Sequence, residues 1–180
     1  MHAKPKLFVT GRIQADDVML RFPSKIPVIT LRGPRDPSLK NPRLAKLHLE
    51  VLFDDIQERV DGGTLPSRKH AIAILDAWQK CCAQGAKVVI LHCEAGISRS
   101  TAAALGIHFL GTSNPVTGVA LAAQNLFAVN PFGHPNKLVL KLLLQTQYSP
   151  EQARVISAQL ISAYSALQSM QENENKIRCD

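Results

Sequence analysis

Three features of this sequence predict an α/β fold: a single domain with a central, mostly parallel sheet and helices on both sides. Short apolar runs alternate along the chain with stretches of helical periodicity, the pattern of strand–helix–strand units. One of these runs, Val88 to Leu91, is continuously β-branched and aliphatic, as expected of a strand buried on both faces. Between Thr101 and Pro150 there is no acidic residue and only two lysines, so the helices of that stretch must pack against each other rather than face water. The 180 residues fit one domain, read as 1–170 with a polar C-terminal tail at 171–180. Hydrophobic residues make up 46% of the chain and aromatics only 5%, so the core is predicted to be aliphatic.

The elements follow in order. A first strand, Leu7 to Val9, is closed by Thr10-Gly11. A helix follows over about Ala15 to Phe22, with Asp16 and Asp17 in its first turn, where carboxylates suit the macrodipole. Pro27 precedes a second strand, Val28 to Leu31, and the stretch from Gly33 to Pro42 carries three prolines and reads as a loop. Leu47 to Phe53 is a third strand, ending at Asp54-Asp55. Ile56 to Leu65 is polar, contains Gly62-Gly63 and reads as a mobile loop. Pro66 opens a helix to about Ala83, with Ala71, Leu75, Trp78 and Cys82 on its apolar face. The Val88–Leu91 strand comes next, then a nearly all-apolar helix from Ser98 to Leu110, predicted to be central and buried. Further helices start after Asn114-Pro115, near Asn136, and at Ser149-Pro150-Glu151-Gln152, a capping box with proline at the first helical position. Beyond about Met170 the chain is polar and reads as frayed.

The formal charge of +7 and the pI of about 9.5 favour anionic partners: phosphorylated proteins, nucleic acid or acidic lipid. The cysteines at 81, 82, 93 and 179 form neither a disulfide framework nor paired zinc ligands. No apolar leader precedes the first strand and no apolar run is long enough to span a bilayer. The expectation is a cytoplasmic chain with free thiols.

The segment that carries chemistry is His92-Cys93-Glu94-Ala95-Gly96-Ile97-Ser98-Arg99-Ser100, set between the apolar strand and the apolar helix. A loop entering a helix from a strand points backbone N–H groups inward, and the helix N-terminus adds positive potential. Residues 94–98 between Cys93 and Arg99 are the right length to curl round a phosphate. Gly96 permits a backbone angle that other residues resist. Arg99 can hold two phosphate oxygens with its planar fork. The same positive potential favours the thiolate of Cys93, the nucleophilic form. Ser100 offers a hydroxyl to the sulfur. A cysteine and an arginine at this spacing are a weak signal alone; the flanking His, Gly and Ser and the strand–loop–helix setting make it specific.

This segment resembles the signature loop of the dual-specificity and tyrosine phosphatase superfamily. Upstream, Phe8-Val9-Thr10-Gly11, Asp16-Asp17-Val18 and Val28-Ile29-Thr30-Leu31-Arg32 are similar to the opening β-α-β of its compact bacterial members, and Pro135-Asn136 is similar to a loop whose asparagine braces the phosphate cradle. The likeness covers roughly Leu7 to Leu144 and implies a phosphotyrosine phosphatase-like fold. It also implies a general acid, an aspartate some way before the cysteine. Asp54, Asp55 and Asp61 qualify. Asp55 ranks first because Phe53-Asp54-Asp55 ends a strand, where such sheets present their ligand crevice. Asp54 reads otherwise as a cap or surface carboxylate, and Asp61, before Gly62-Gly63, as a turn residue.

Around this constellation, His92 is expected to brace the loop rather than act as a base, and Glu94 to point outward while its N–H serves the cradle. His134 reads as a loop residue, Trp78 as core, and Cys81 and Cys82 as helix packing. The implied activity is phosphomonoester hydrolysis through a cysteinyl-phosphate intermediate, without metal or other cofactor. Phosphotyrosine proteins rank first as substrates, with phosphoserine or phosphothreonine proteins and small aryl phosphates beside them. A phosphoinositide or an RNA 5′-phosphate ranks lower, because the cradle has no lysine to pair with additional phosphates. Arsenate reduction and sulfur transfer use related loops, and a catalytically silent phosphate-binding module would not need the aspartate.

Overall fold

The computed structural model describes residues 4–177, so Cys179 and the last residues of the predicted tail lie outside the described part. Four strands, β1 (Lys6–Gly11), β2 (Val28–Arg32), β3 (His48–Leu52) and β4 (Val88–Cys93), form one sheet in the order β1-β4-β2-β3, with every pairing parallel. The helices are α1 (Arg12–Arg21), α2 (Arg68–Ala83), α3 (Arg99–Leu110), α4 (Pro115–Val129), α5 (Lys137–Leu144) and α6 (Pro150–Ile177). The predicted α/β class, with helices on both faces of the sheet, is the fold observed.

Alternation along the strands sorts side chains into two cores. Val28 and Ile90 face Ala15 and Met19 of α1 on one side. Ile29, Leu31, Val89 and Leu91 face the larger layer of α2 to α6 on the other. In the central β4 strand Val89, Ile90 and Leu91 are fully buried, as the apolar run predicts, whereas Val88 at its start is exposed. Helix α3 is likewise buried along almost its whole length, and α4 and α5 pack on it. This explains the absence of acidic residues from Thr101 to Pro150.

Four expectations are corrected. Helix α1 starts at Arg12, directly after β1, so Asp16 and Asp17 are not in its first turn. The early start follows from Arg12, whose N–H donates to the Glu94 carbonyl at 3.0 Å and whose guanidinium pairs with the Glu94 carboxylate at 2.9 Å. Asp16 is buried and instead accepts the backbone N–H of Lys40 at 3.0 Å and of Asn41 at 3.4 Å, pinning the Gly33–Pro42 loop over the sheet. Helix α2 begins at Arg68, after the Ser67 N-cap, rather than at Pro66. It turns Ala71, Ile74, Ala77 and Cys81 inward and leaves Leu75 and Trp78 half-buried beside them: two apolar rows were available, and the row with the smaller side chains allows close approach to the sheet. Helix α6 continues past Met170 to Ile177, because extending a formed helix through Gln, Glu and Lys is inexpensive.

The starts of α4, α5 and α6 fall where the sequence predicts and are capped by side chains. Asn114 Oδ1 accepts the Val116 N–H at 2.8 Å, and Asn136 Oδ1 accepts the Val139 N–H at 3.1 Å. Ser149 and Gln152 exchange bonds of 3.1 and 3.3 Å. Among the described residues no helix is long and apolar enough to cross a membrane.

Candidate active site

The carboxyl ends of the parallel strands converge on the segment His92–Ser100, which leaves β4 and enters α3. Cys93 is 2% exposed, and its Sγ lies 3.2 Å from Ser100 Oγ. The loop then curls over Gly11 of the neighbouring strand. Gly96 adopts φ 76°, and a Cβ there would stand 2.5 Å from Gly11 N and from Thr10 C. Glycine is therefore required at this point by the backbone angle and by the close approach of β1. Among the described residues, no acceptor pairs with the N–H groups of Glu94 to Ser98, which suits a cradle for an anion. The Glu94 side chain turns away to Arg12.

Arg99 is 5% exposed and is gripped at its far end: Nη1 donates to the Phe53 carbonyl at 3.1 Å and Nη2 to Asp36 Oδ2 at 2.8 Å. Among the described residues its buried Nε has no hydrogen-bond partner; it stands 3.9 Å from Asp55 Oδ2. A buried, unsatisfied guanidinium N–H is costly in an isolated fold and is an available donor for an anionic ligand. Burial alone would push the Asp36 carboxyl up, but hydrogen bonds from the Gly33 N–H and Arg99, with the charges of Arg99 and Arg32, bring it below the ordinary carboxylate range. A Cβ at Gly33 would lie 2.4 Å from Asp54 Oδ1, so a side chain there would displace that carboxylate.

The three candidate acids separate. Asp55 Oδ1 accepts the Ser98 hydroxyl at 2.7 Å and the Asn136 amide at 2.8 Å, so this carboxylate sits against the loop itself. Asp54 turns the other way: its Oδ2 accepts the Thr64 N–H at 2.7 Å and its own N–H donates to the Thr64 carbonyl at 2.9 Å, closing the base of the 55–63 loop. Asp61 is exposed in a turn before Gly62, whose φ is 71°.

Two sets of braces hold the cradle. His92 Nδ1 lies 3.2 Å from the Cys93 carbonyl, an acceptor, so Nδ1 carries the proton. Burial pushes this imidazole down to about 4 and keeps it neutral, which makes Nε2 an acceptor. The Thr30 hydroxyl, 2.7 Å away, therefore donates to it, and in turn accepts from His48 Nε2 at 2.8 Å. On the other side, His134 N–H donates to the Ile97 carbonyl and Asn136 N–H to the Ser98 carbonyl, at 2.7 and 3.3 Å. Asn130 Nδ2 donates to the Gly96 carbonyl at 2.8 Å. Helix α6 secures that second brace through Tyr164, whose hydroxyl accepts the Gly133 N–H at 3.0 Å, and through Gln168, which donates to the Pro131 carbonyl at 2.8 Å.

No family model and no curated protein matches the sequence. Solved structures do. The chain is similar to human DUSP28, with a TM-score of 0.54 at 18% identity over 92% of this chain and 96% of that one. It is similar to a mouse putative dual specificity phosphatase complexed with zinc tungstate, with a TM-score of 0.54 at 22% identity over 84% and 87%. A third is the Yvh1 phosphatase domain from Chaetomium thermophilum, with a TM-score of 0.54 at 21% identity over 79% and 90%. The chain has the dual-specificity phosphatase fold.

Within this phosphatase fold, reading the sequence alone missed Asp36, Thr30, His48 and Asn130. Asp36 lies in Arg32-Gly33-Pro34-Arg35-Asp36, at the carboxyl end of a strand next to β4, and that position was the available signal. The prolines of the segment made it look like a plain loop. Cys81 is core, its thiol pushed up to about 11 by burial, and Cys82 is half-buried on the same helix. Trp78 packs against the core but also lines a cavity with His108 at the opposite end of α3.

Proposed function

We propose that the protein is a phosphomonoester hydrolase working through a cysteinyl-phosphate intermediate, with phosphotyrosine proteins as its first substrate class and phosphoserine or phosphothreonine proteins beside them. The observation that carries this reading is the buried Cys93 at the floor of a loop closed by Arg99, whose Nε–H has no partner among the described residues.

In the first step the Cys93 thiolate attacks phosphorus. The S–P bond forms, the P–O bond to the leaving group breaks, and Asp55 gives its proton to the departing oxygen. Arg99 and the N–H groups of Glu94, Ala95, Gly96, Ile97 and Ser98 hold the non-bridging oxygens as charge develops on them. In the second step Asp55, now a carboxylate, takes a proton from water as that water attacks phosphorus. The S–P bond breaks, inorganic phosphate leaves, and the Ser100 hydroxyl stabilises the returning thiolate. His92 holds the Cys93 carbonyl, and Asn136 holds Asp55.

Hydrolysis of a chromogenic aryl phosphate by wild type and Cys93→Ser tests this. Activity in wild type and none in Cys93→Ser is expected, together with binding of tungstate, an oxyanion of phosphate-like geometry, by both. Full activity in Cys93→Ser sinks the reading.

A further inference from the structure

The two lysines in the long stretch without acidic residues, Lys137 and Lys141, stand one turn apart on α5 and line the same groove. This groove, of about 540 Å³, runs between α5 and α6 and is completed by Arg154, Gln57 and the apolar Leu138 and Ile161. None of its lining residues is acidic. Arg154 is already paired with Glu151 at 2.6 Å, whereas among the described residues neither lysine has a carboxylate within ion-pair distance.

The arrangement works against the stability of α5. Like charges four residues apart repel, and Lys137 occupies the first position of the helix, where the macrodipole favours a carboxylate. Two lining residues of the groove neighbour residues of the candidate active site along the chain. Lys137 follows Asn136, whose amide holds Asp55, and Gln57 lies two residues beyond Asp55.

We propose that this groove binds a second anionic side chain, acidic or phosphorylated, of the same protein whose phosphate enters the Cys93 cradle. The proposal rests on the phosphatase reading and narrows its substrate class to phosphoproteins carrying negative charge beside the scissile residue. Unpaired cations in a concave site with apolar flanks fit the side chain of a peptide. An extended peptide can reach from the Cys93 cradle into such a groove with one side chain, and binding to a lipid surface is the alternative that the test separates.

The test is fluorescence anisotropy of labelled phosphopeptides on full-length Cys93→Ser, which binds without turning over. Two peptides share a phosphotyrosine; one has neutral flanks and the other adjacent glutamates and a second phosphate. The acidic peptide is expected to bind about tenfold tighter, the magnitude of one good charge-assisted contact, with a steeper salt dependence. Adding Lys137→Glu and Lys141→Glu together should remove that preference, whereas the charge-matched Lys25→Glu with Lys80→Glu should keep it. Equal affinity for the two peptides overturns the proposal, as does a preference that survives the α5 reversals. So does an outcome in which those reversals abolish binding to phosphatidylserine vesicles and leave the peptide preference intact. Aryl phosphate hydrolysis by wild type, run alongside, separates the two readings. Turnover without a peptide preference sinks only the groove, while a chain that neither hydrolyses the aryl phosphate nor binds the neutral phosphopeptide overturns both.

Discussion

Arg99 and Asp36 are joined across 63 residues of sequence by a 2.8 Å hydrogen bond from Nη2 to Oδ2. Asp36 is itself fixed by the Gly33 N–H at 2.7 Å, and with the Phe53 carbonyl it orients the guanidinium so that Nε–H is left over. Asp36→Asn keeps the shape but removes the charge. It should lower kcat/KM for an aryl phosphate about tenfold, chiefly through a raised KM, and reduce folding stability by about 2 kcal/mol, typical of a lost charge-assisted bond. Steady-state kinetics with calorimetric unfolding checks both. An unchanged KM would show that Asp36 does not orient the clamp.

Asp55 and Asp54 are neighbours with opposite partners. Asp55→Asn should reduce kcat about 100-fold at neutral pH, within the usual contribution of a general acid, and flatten the pH–rate profile. Asp54→Asn weakens the Thr64 closure, so its effect should fall on stability and on the loop, with kcat within a few-fold of wild type. The reverse ranking would transfer the acid role to Asp54.

Gly96→Ala is expected to be far more damaging than a buried methyl usually is. Its φ of 76° disfavours any side chain, and the added Cβ would press on the backbone of Thr10 and Gly11 at 2.5 Å, where nothing flexible can yield. A loss of at least about 3 kcal/mol is expected in urea unfolding, with tungstate binding abolished. A variant of wild-type stability would mean that β1 and the loop are not packed as described.

Burial pushes His92 and His108 down to about 4, from an ordinary value of 6.5. The unfolded chain therefore binds more protons than the folded chain between those values. Stability should be fully present above about pH 6.5 and fall progressively as the pH drops toward 4. Among the described residues His108 Nε2 has no hydrogen-bond partner, so His108→Leu should flatten part of this decline without exposing a polar group. Melting temperatures from pH 4 to 8 give the answer; an identical decline in the variant would exclude His108 as a contributor.

The centre of the candidate site is legible in the sequence because it is local. The strand at Val88–Leu91, the cradle at Cys93–Arg99 and the buried helix behind it are contiguous, and each is marked by composition or residue type within a few positions. Helix starts at Asn114, Asn136 and Ser149 were equally local, since a cap acts on N–H groups two or three residues away. The start of α1 was misplaced for the opposite reason: Arg12 is fixed by Glu94, 82 residues on.

The sequence by itself therefore determined the fold class, the Cys93–Arg99 loop and the short list of candidate acids. Only the tertiary structure decided which side chains meet there. The strand order β1-β4-β2-β3 puts β2 beside β4, and so sets Thr30 opposite His92 and brings Asp36 to Arg99. The turn after β3 then aims Asp55 at Ser98 and Asn136, and Asp54 at Thr64. Strand order and side-chain direction at a strand end arise from long-range packing, which residue type and spacing along the chain do not encode. A cysteine and an arginine at a suggestive spacing thereby gained defined neighbours: Asp36 on the guanidinium, and Asp55 against Ser98 and Asn136.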